Sequence, residues 1–341
     1  MREVFGAEFD VPDGYLNTAS IGVPSVAVAD AVAEAVAGWR TGAARPPQYD
    51  RFVEGARSAW ARLVGVSTEH VASGASVSQL AGLVAASVPD GTRVVTVANE
   101  FTSVTFPFAA QEKRGVTVTE VAHANLAEAA ADADLVAVSV VQSADGALAD
   151  LDALKNTGTP VFLDATQAVG WLPLRLDWAD YVVGGSYKWL FAPRGAAWLA
   201  VHPNARPLVP HVANWYGAAD IWDGVYGLPL RLADTARGLD LSPVWFSQLG
   251  AAVSTAWLAG LDLAAVREHC VRLADTVLTE MGREPAGSAI ISLALTADQR
   301  ERLAKADIVS SVRAGRTRLS FHLYNSEDDV DRVLGALATR P

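Results

Sequence analysis

Along the first two-thirds of the chain, short Val-rich runs with few polar breaks alternate with stretches of helical spacing. The runs 93–98 (RVVTVA), 116–121 (VTVTEV), 135–141 (LVAVSVV), 160–165 (PVFLDA), 181–185 (YVVGG) and 196–201 (AAWLAV) predict strands. Near-continuous apolar character suits strands covered on both faces. Helices are predicted over about 24–40, after Gly74, after Thr102 and from about Asn125. The first of these has Pro24 near its first turn and an Ala/Val face. This alternation argues for an α/β domain built on a mostly parallel sheet. After Asp240 the texture changes. Helices over about 244–260 and 262–282, a strand at 290–294, a further helix, TRLSFHL (317–323) and a closing helix from Ser326 predict a smaller α+β unit. The stretch 203–243 is rich in Pro, Gly, Trp and Asp and has no period. It reads as a long ordered excursion over the domain junction. The expected division is a large domain, 15–240, and a small one made of 1–14 and 241–341.

Composition narrows the function. With 38 acidic and 27 basic residues the net charge is −11, which argues against a nucleic-acid-binding face. Charged residues are 19% of the chain and hydrophobic ones 51%, which excludes an intrinsically disordered chain. The single cysteine, Cys270, rules out an internal disulfide framework and a Cys-based zinc site. No two histidines have the spacing of a helical metal pair, so no metal is expected. The uncharged runs 71–89 and 241–261 are broken by Ser, Gln and Pro and read as core, not as membrane spans. MREVFGAEFD carries no apolar leader, so a cytoplasmic protein is expected. Dinucleotide, P-loop and nucleophile-elbow motifs are all missing, so a Rossmann dehydrogenase, a P-loop NTPase and an α/β-hydrolase lose support.

Three features carry chemistry. Asp164 ends a hydrophobic run, at the strand edge where open α/β sheets bind ligands. A carboxylate leaving a buried strand needs a strong partner. One crossover later comes GGSYKWLFAPRG (184–195), with Lys188 between Tyr187 and Trp189. Right-handed crossovers bring such strand ends to one edge. Apolar surroundings lower an amine's pKa and favour imine chemistry. Only four lysines occur, Lys113, Lys155, Lys188 and Lys305, so one placed here is informative. Upstream, HVASGASVSQLAGLVAAS (70–87) predicts strand, Gly turn and helix. There the Ala75 and Ser76 N–H groups and the Ser76 hydroxyl form an anion site, with Ser186 as a further hydroxyl. Singly, these read as a helix cap, a surface lysine and a loop carboxylate. Together they match pyridoxal phosphate binding, with Lys188 as imine-forming amine and Asp164 as partner of the ring nitrogen.

With these residues in place, the chain resembles the class V aminotransferase group of fold-type I pyridoxal phosphate enzymes over about 15–335. The resemblance implies a mainly parallel seven-stranded sheet flanked by helices, a smaller α+β C-terminal domain, and a homodimer with sites at its interface. The group's Asp-x-x-Gln segment matches Asp164 and Gln167, which implies contacts to the ring nitrogen and ring hydroxyl. Its Ser-x-(His/Tyr)-Lys segment matches Ser186, Tyr187 and Lys188. Glu100-Phe101 implies that Phe101 stacks on the ring. SADG (143–146) puts Ser143 where the group usually has Asn. TRLSFHLYNSEDDVDRV (317–333) matches the ending whose arginine grips the substrate carboxylate, here Arg318. YLNTASIG (15–22) implies that Ser20 and Asn17 line the pocket. DLSPVW (240–245) implies Ser242 as the hydroxyl lent to the partner's phosphate site.

Within the group, a cysteine desulfurase needs a nucleophilic cysteine shortly before the Arg318 segment, and 295–316 contains none. The segments NTASIGVPS (17–25), TSVTFPFAAQEKRGV (102–116), DATQAVGWLPL (164–174), NWYGAADIWDGVYGLPLRLAD (214–234) and RLSFHLYN (318–325) are similar to the ergothioneine-forming C–S lyases (the EgtE family). That resemblance implies cleavage of hercynylcysteine sulfoxide. Trp215, Tyr216 and Trp222 then offer a cage for its trimethylammonium, or simply pack the domain junction. A kynureninase-like hydrolase, an epimerase and an aminotransferase remain alternatives. A non-enzymatic sensor is disfavoured by Lys188, Asp164 and Arg318, since binding alone needs no base.

Overall fold

The computed structural model describes residues 1–338. Seven strands form the central sheet: β1 (Val71–Gly74), β2 (Arg93–Val97), β3 (Thr117–Val121), β4 (Leu135–Ser139), β5 (Val161–Asp164), β6 (Tyr181–Gly185) and β7 (Ala197–Val201). Their spatial order is β1-β7-β6-β5-β4-β2-β3. β7 runs antiparallel to both neighbours and the remaining pairs are parallel. The Val-rich runs β1, β4, β5 and β6 are buried along their whole length. The alternating run at β3 forms the exposed edge. This is the mainly parallel seven-stranded sheet expected.

The principal helices are α1 (Val26–Arg40), α2 (Asp50–Val64), α3 (Val77–Ser87), α4 (Thr102–Ala109), α5 (Trp245–Leu258), α6 (Leu263–Glu280), α7 (Ala297–Lys305) and α8 (Glu327–Leu337). Successive strand residues face opposite layers. Leu163 and Val182 join Trp60, Trp171 and Trp198 on one side of the sheet, while Phe162 and Val183 join Leu80, Val84 and Phe108 on the other. α5 packs on α1 and α2. α2 is additional to the helices the pattern predicts: Gly55 and Arg57 interrupt its apolar stripe, yet Val53, Ala56, Trp60 and Leu63 are buried at helical spacing. The helix expected from Asn125 is a single turn, Leu126–Ala129.

A second, three-stranded antiparallel sheet has the order β8-β10-β9: β8 (Ile290–Leu293), β9 (Ser311–Arg313) and β10 (Arg316–Ser320). Its core-facing residues Ile291, Leu293 and Leu319 pack on Leu273 and Val277 of α6, Leu303 of α7 and Val330 of α8. β10 stops at Ser320, short of the predicted 323, because Asn325 closes a turn there. Its Oδ1 accepts from His322 N at 2.8 Å and its own N–H donates to His322 O at 2.9 Å. The N-terminal segment threads between the two sheets. Leu16 N donates to Val309 O at 3.0 Å, Ser320 N to Leu16 O at 2.9 Å, and Gly22 N to Tyr187 O at 3.0 Å. Residues 203–243 are irregular apart from the turns Trp215–Gly217 and Ala236–Leu239. Among the described residues no single helix is long and apolar enough to cross a membrane.

Candidate active site

Because β5 and β6 are parallel neighbours, Asp164 and the loop after Gly185 leave the sheet at one edge. One cavity there is lined by Ser76, Phe101, Asp164, Tyr187, Lys188 and Arg194. Asp164 is 4% exposed, and its Oδ1 accepts from Thr166 N at 2.8 Å. Burial pushes its carboxyl up, against the pull of Thr166 and the Lys188 charge. Lys188 is 6% exposed. Burial brings its amine down to about 8; Asp164 opposes the fall, while Arg318, Arg313 and Arg194 add to it. Its Nζ lies 5.2 Å from the centre of the Phe101 ring.

The Lys188 loop is pinned from several directions. Trp189 Nε1 donates to Gln167 Oε1 at 2.6 Å, His322 Nε2 lies 2.9 Å from Trp189 O, and Ser254 Oγ bonds Leu190 O. Gly22 crosses so close that a Cβ there would sit 2.0 Å from Lys188 O. Phe101 is set by its neighbour. Buried Glu100 accepts from Phe101 N (2.6 Å), Ser139 N (2.7 Å) and Ser139 Oγ (2.7 Å).

Ser76 caps α3, its Oγ accepting from Gln79 N at 3.3 Å. The first-turn N–H groups of Val77 and Ser78 lack helical partners and line the cavity. The Ala75 N–H is different: it donates to Gln79 Oε1 at 3.1 Å. Behind the cradle lies an ion pair that the pattern does not reveal. Arg57 Nη1 and Nη2 hold Asp240 Oδ1 and Oδ2 at 2.9 and 2.6 Å, and Asp240 Oδ1 accepts from Ser73 N at 2.7 Å. Arg57 Nη1 also reaches Val71 O at 2.7 Å. The pair therefore fixes β1, which leads into the cradle.

Arg318, 2% exposed, donates from Nη1 to Ser143 O and Ser143 Oγ (2.5 and 3.0 Å) and from Nη2 to Ser20 Oγ (2.8 Å). Burial lowers its guanidinium to about 10, with Arg313 adding to the fall. Gln167 donates to Ser143 Oγ and Ala19 O, both at 3.0 Å. Both ends of its amide are thus engaged by protein. Asn17 pairs with Ser320 along the same seam, and its Oδ1 is buried without a partner among the described residues.

Two expectations need correction within the chain. Ser186 points away from the cavity, its hydroxyl donating to Pro193 O at 2.8 Å. Ser242, expected to reach the partner's site, is exposed and lies outside the cavity of its own chain. Trp215, Tyr216 and Trp222 do not line it either. They cluster at the start of α2, where Tyr216 Oη and Trp222 Nε1 donate to Asp50 at 3.1 and 3.3 Å. Aromatic side chains bury their faces on each other and give their polar tips to the nearest acceptor, here Asp50. Ala75 lines the cavity, with its N–H engaged by Gln79. Thr166, Ser139 and Arg194 line the cavity without having been singled out, and Tyr187 lines it beside Lys188. For Thr166 the signal is its place beside Asp164: its Oγ1 accepts from Gly185 N at 3.1 Å, tying the two strand ends together.

The donor set fits pyridoxal phosphate. A buried amine, a buried carboxylate with one backbone partner, an aromatic ring and a helix N-terminus share one cavity. The fold has many solved counterparts. The apo cysteine desulfurase from Thermococcus onnurineus NA1 superposes with a TM-score of 0.80 at 18% identity, covering 95% of this chain and 94% of that one. The cystine C–S lyase C-DES, in complex with its product cysteine persulfide, gives 0.85 at 15% identity, with 96% and 97% covered. A variant of C-DES with glycine covalently linked to its PLP cofactor gives 0.84 at 15% identity, with 96% of each chain covered. Among curated proteins no match is found. The model of the class V aminotransferases matches residues 33–300, well over half of the chain, and the chain belongs to that family.

Proposed function

We propose that the protein is a pyridoxal phosphate-dependent β-lyase that cleaves the C–S bond of hercynylcysteine sulfoxide. The products are ergothioneine, by way of its sulfenic acid, with pyruvate and ammonia. The observation that carries the lyase reading is the state of the only thiol. Cys270 is fully buried on α6, its Sγ 3.8 Å from His322 Nδ1, and burial pushes the thiol far up. Persulfide-forming desulfuration needs an accessible thiolate. Elimination needs only a base, a carboxylate grip and an electron sink; Lys188 in the cavity is placed for the first role and Arg318, bonded to the cavity-lining Ser143, for the second.

When bound, the cofactor supplies an aldehyde for the substrate amine and a protonated ring that takes up the electron pair left at Cα. Ser76 and the first turn of α3 would hold its phosphate, Asp164 the ring nitrogen and Phe101 a ring face. Arg318 grips the α-carboxylate and so orients the Cα–H bond. The Lys188 amine, brought down to about 8, takes the Cα proton. The C–S bond then breaks with its electrons on sulfur, which leaves as the sulfenic acid after gaining a proton. Water converts the three-carbon remainder into pyruvate and ammonia. Two thiols, oxidised to a disulfide, reduce the sulfenic acid to the thione.

The working unit in this reading is a homodimer. Ser242 and the Trp215–Tyr216–Trp222 cluster lie outside the cavity of their own chain, and in this reading they serve the partner's site. There the aromatics would meet the trimethylammonium. The test is pyruvate release from hercynylcysteine sulfoxide, with S-methylcysteine sulfoxide in parallel. Pyruvate with ergothioneine from the first and little from the second is expected. Equal rates would leave a general sulfoxide lyase. No pyruvate from either would overturn the lyase reading in favour of hydrolase or epimerase chemistry.

A further inference from the structure

The face of the small sheet that looks away from its core carries arginine charge that the chain does not balance. Along β10, Thr317 and Leu319 are paired with Leu293 and Ile291, so Arg316, Arg318 and Ser320 project to the opposite face. Ser311 of β9 stands directly across from Arg318, and Arg313, two residues on, shares that face. The two guanidinium groups converge on one hydroxyl: Arg318 Nη2 lies 2.8 Å and Arg313 Nη2 3.3 Å from Ser20 Oγ. Arg194 enters from the cavity wall, 5.1 Å from the centre of the Tyr187 ring. Among the described residues, Arg194, Arg313 and Arg318 have no carboxylate at ion-pair distance, in a chain of net charge −11.

Guanidinium groups brought together repel unless an anion lies between them. A single α-carboxylate answers Arg318, the buried member. It leaves Arg313, which is exposed beside Ser20, without a counter-charge.

We propose that Arg313 determines specificity by gripping a second carboxylate, one carried on the part of the substrate that leaves with sulfur. The enzyme therefore favours cysteine derivatives whose S-substituent is itself anionic. This deepens the lyase reading above and rests on it; the carboxylate of a histidine betaine is one such group.

The test uses the holoenzyme and its Arg313→Gln variant. Pyruvate release is measured from S-(2-carboxyethyl)cysteine sulfoxide and from its neutral amide, S-(2-carbamoylethyl)cysteine sulfoxide. The readout is the ratio of kcat/KM for acid over amide, which cancels any general effect on folding or on Lys188. A charge-assisted hydrogen bond predicts that Arg313→Gln lowers this ratio about ten- to hundredfold, mainly through KM, with Arg313→Lys in between. An unchanged ratio overturns the proposal. Binding of 2-aminoadipate and 2-aminohexanoate is followed by calorimetry on the same proteins and needs no C–S cleavage. Tighter binding of the dicarboxylate that disappears in Arg313→Gln supports the second grip even where no pyruvate forms. Equal binding of the two by wild type overturns it whatever the lyase assay gives.

Discussion

Replacing Lys188 by Met probes the electrostatics of the site with no substrate present. In the cofactor-free protein the amine is buried, and its pKa falls from 10.5 to about 8. In the unfolded chain it returns to its ordinary value. Between those two values the unfolded chain keeps a proton that the folded chain has released, so stability climbs with pH across that window. Below about pH 8 the charged amine is carried into the fold and the whole penalty stands; above pH 10.5 none of it remains. The fall in pKa corresponds to about 3 kcal/mol. Lys188→Met keeps the apolar stem and removes the charge. It is therefore expected to stabilise the cofactor-free protein by up to about 3 kcal/mol at pH 7 and by little at pH 10.5. Urea denaturation of both proteins at several pH values measures the difference, in which the other titrating groups cancel. A difference that stays flat with pH would refute the claim that burial lowers the pKa of Lys188.

Three further outcomes are expected. Asp240→Asn leaves Arg57 buried without a counter-charge and should cost about 3–5 kcal/mol in denaturant unfolding, whereas the double change with Arg57→Met should cost clearly less. Arg318→Met removes the buried carboxylate grip, and steady-state kinetics should show kcat/KM down by at least about thirtyfold, from a loss of about 2 kcal/mol or more. Trp222→Ala should lower kcat/KM for hercynylcysteine sulfoxide by about two- to thirtyfold, as loss of one cation–π face implies; an equal loss on S-methylcysteine sulfoxide would sink the cage.

Much of the site is written locally. Asp164, Lys188 and the Ser76 cap each sit at a strand end or helix start that the apolar pattern marks, so topology alone brings them to one edge. Arg318 is legible only through the resemblance, since an arginine in a strand has no local signature. What escaped is set by distant partners. Arg57 looks like a solvated residue on α2 until Asp240 is brought against it from the far side of the irregular stretch. Ser186 sits where a phosphate-binding hydroxyl is expected, but the loop returning through Pro193 offers its oxygen a nearer carbonyl. The aromatic cage rests on the resemblance and on closeness in sequence, and neither says which acceptor an indole N–H finds; within this chain it is Asp50.

The seam that brings Ser20 to Arg318 joins segments that the ribosome makes at opposite times. Leu16 pairs with Val309 and Ser320, and Arg2 bonds Asp329 at 2.7 Å. Contacts of such long sequence separation close late, after the loops between them have lost their freedom. A nascent chain that has emerged through β7 already carries every strand of the central sheet, with Asp164, Lys188 and the cradle on it. It still lacks Asp240, which ties β1 to Arg57; Ser254 and His322, which pin the Lys188 loop; and Arg318 on β10. The cavity's walls are thus fixed only when the chain beyond β7 has joined, so its electrostatics and its closure are completed together.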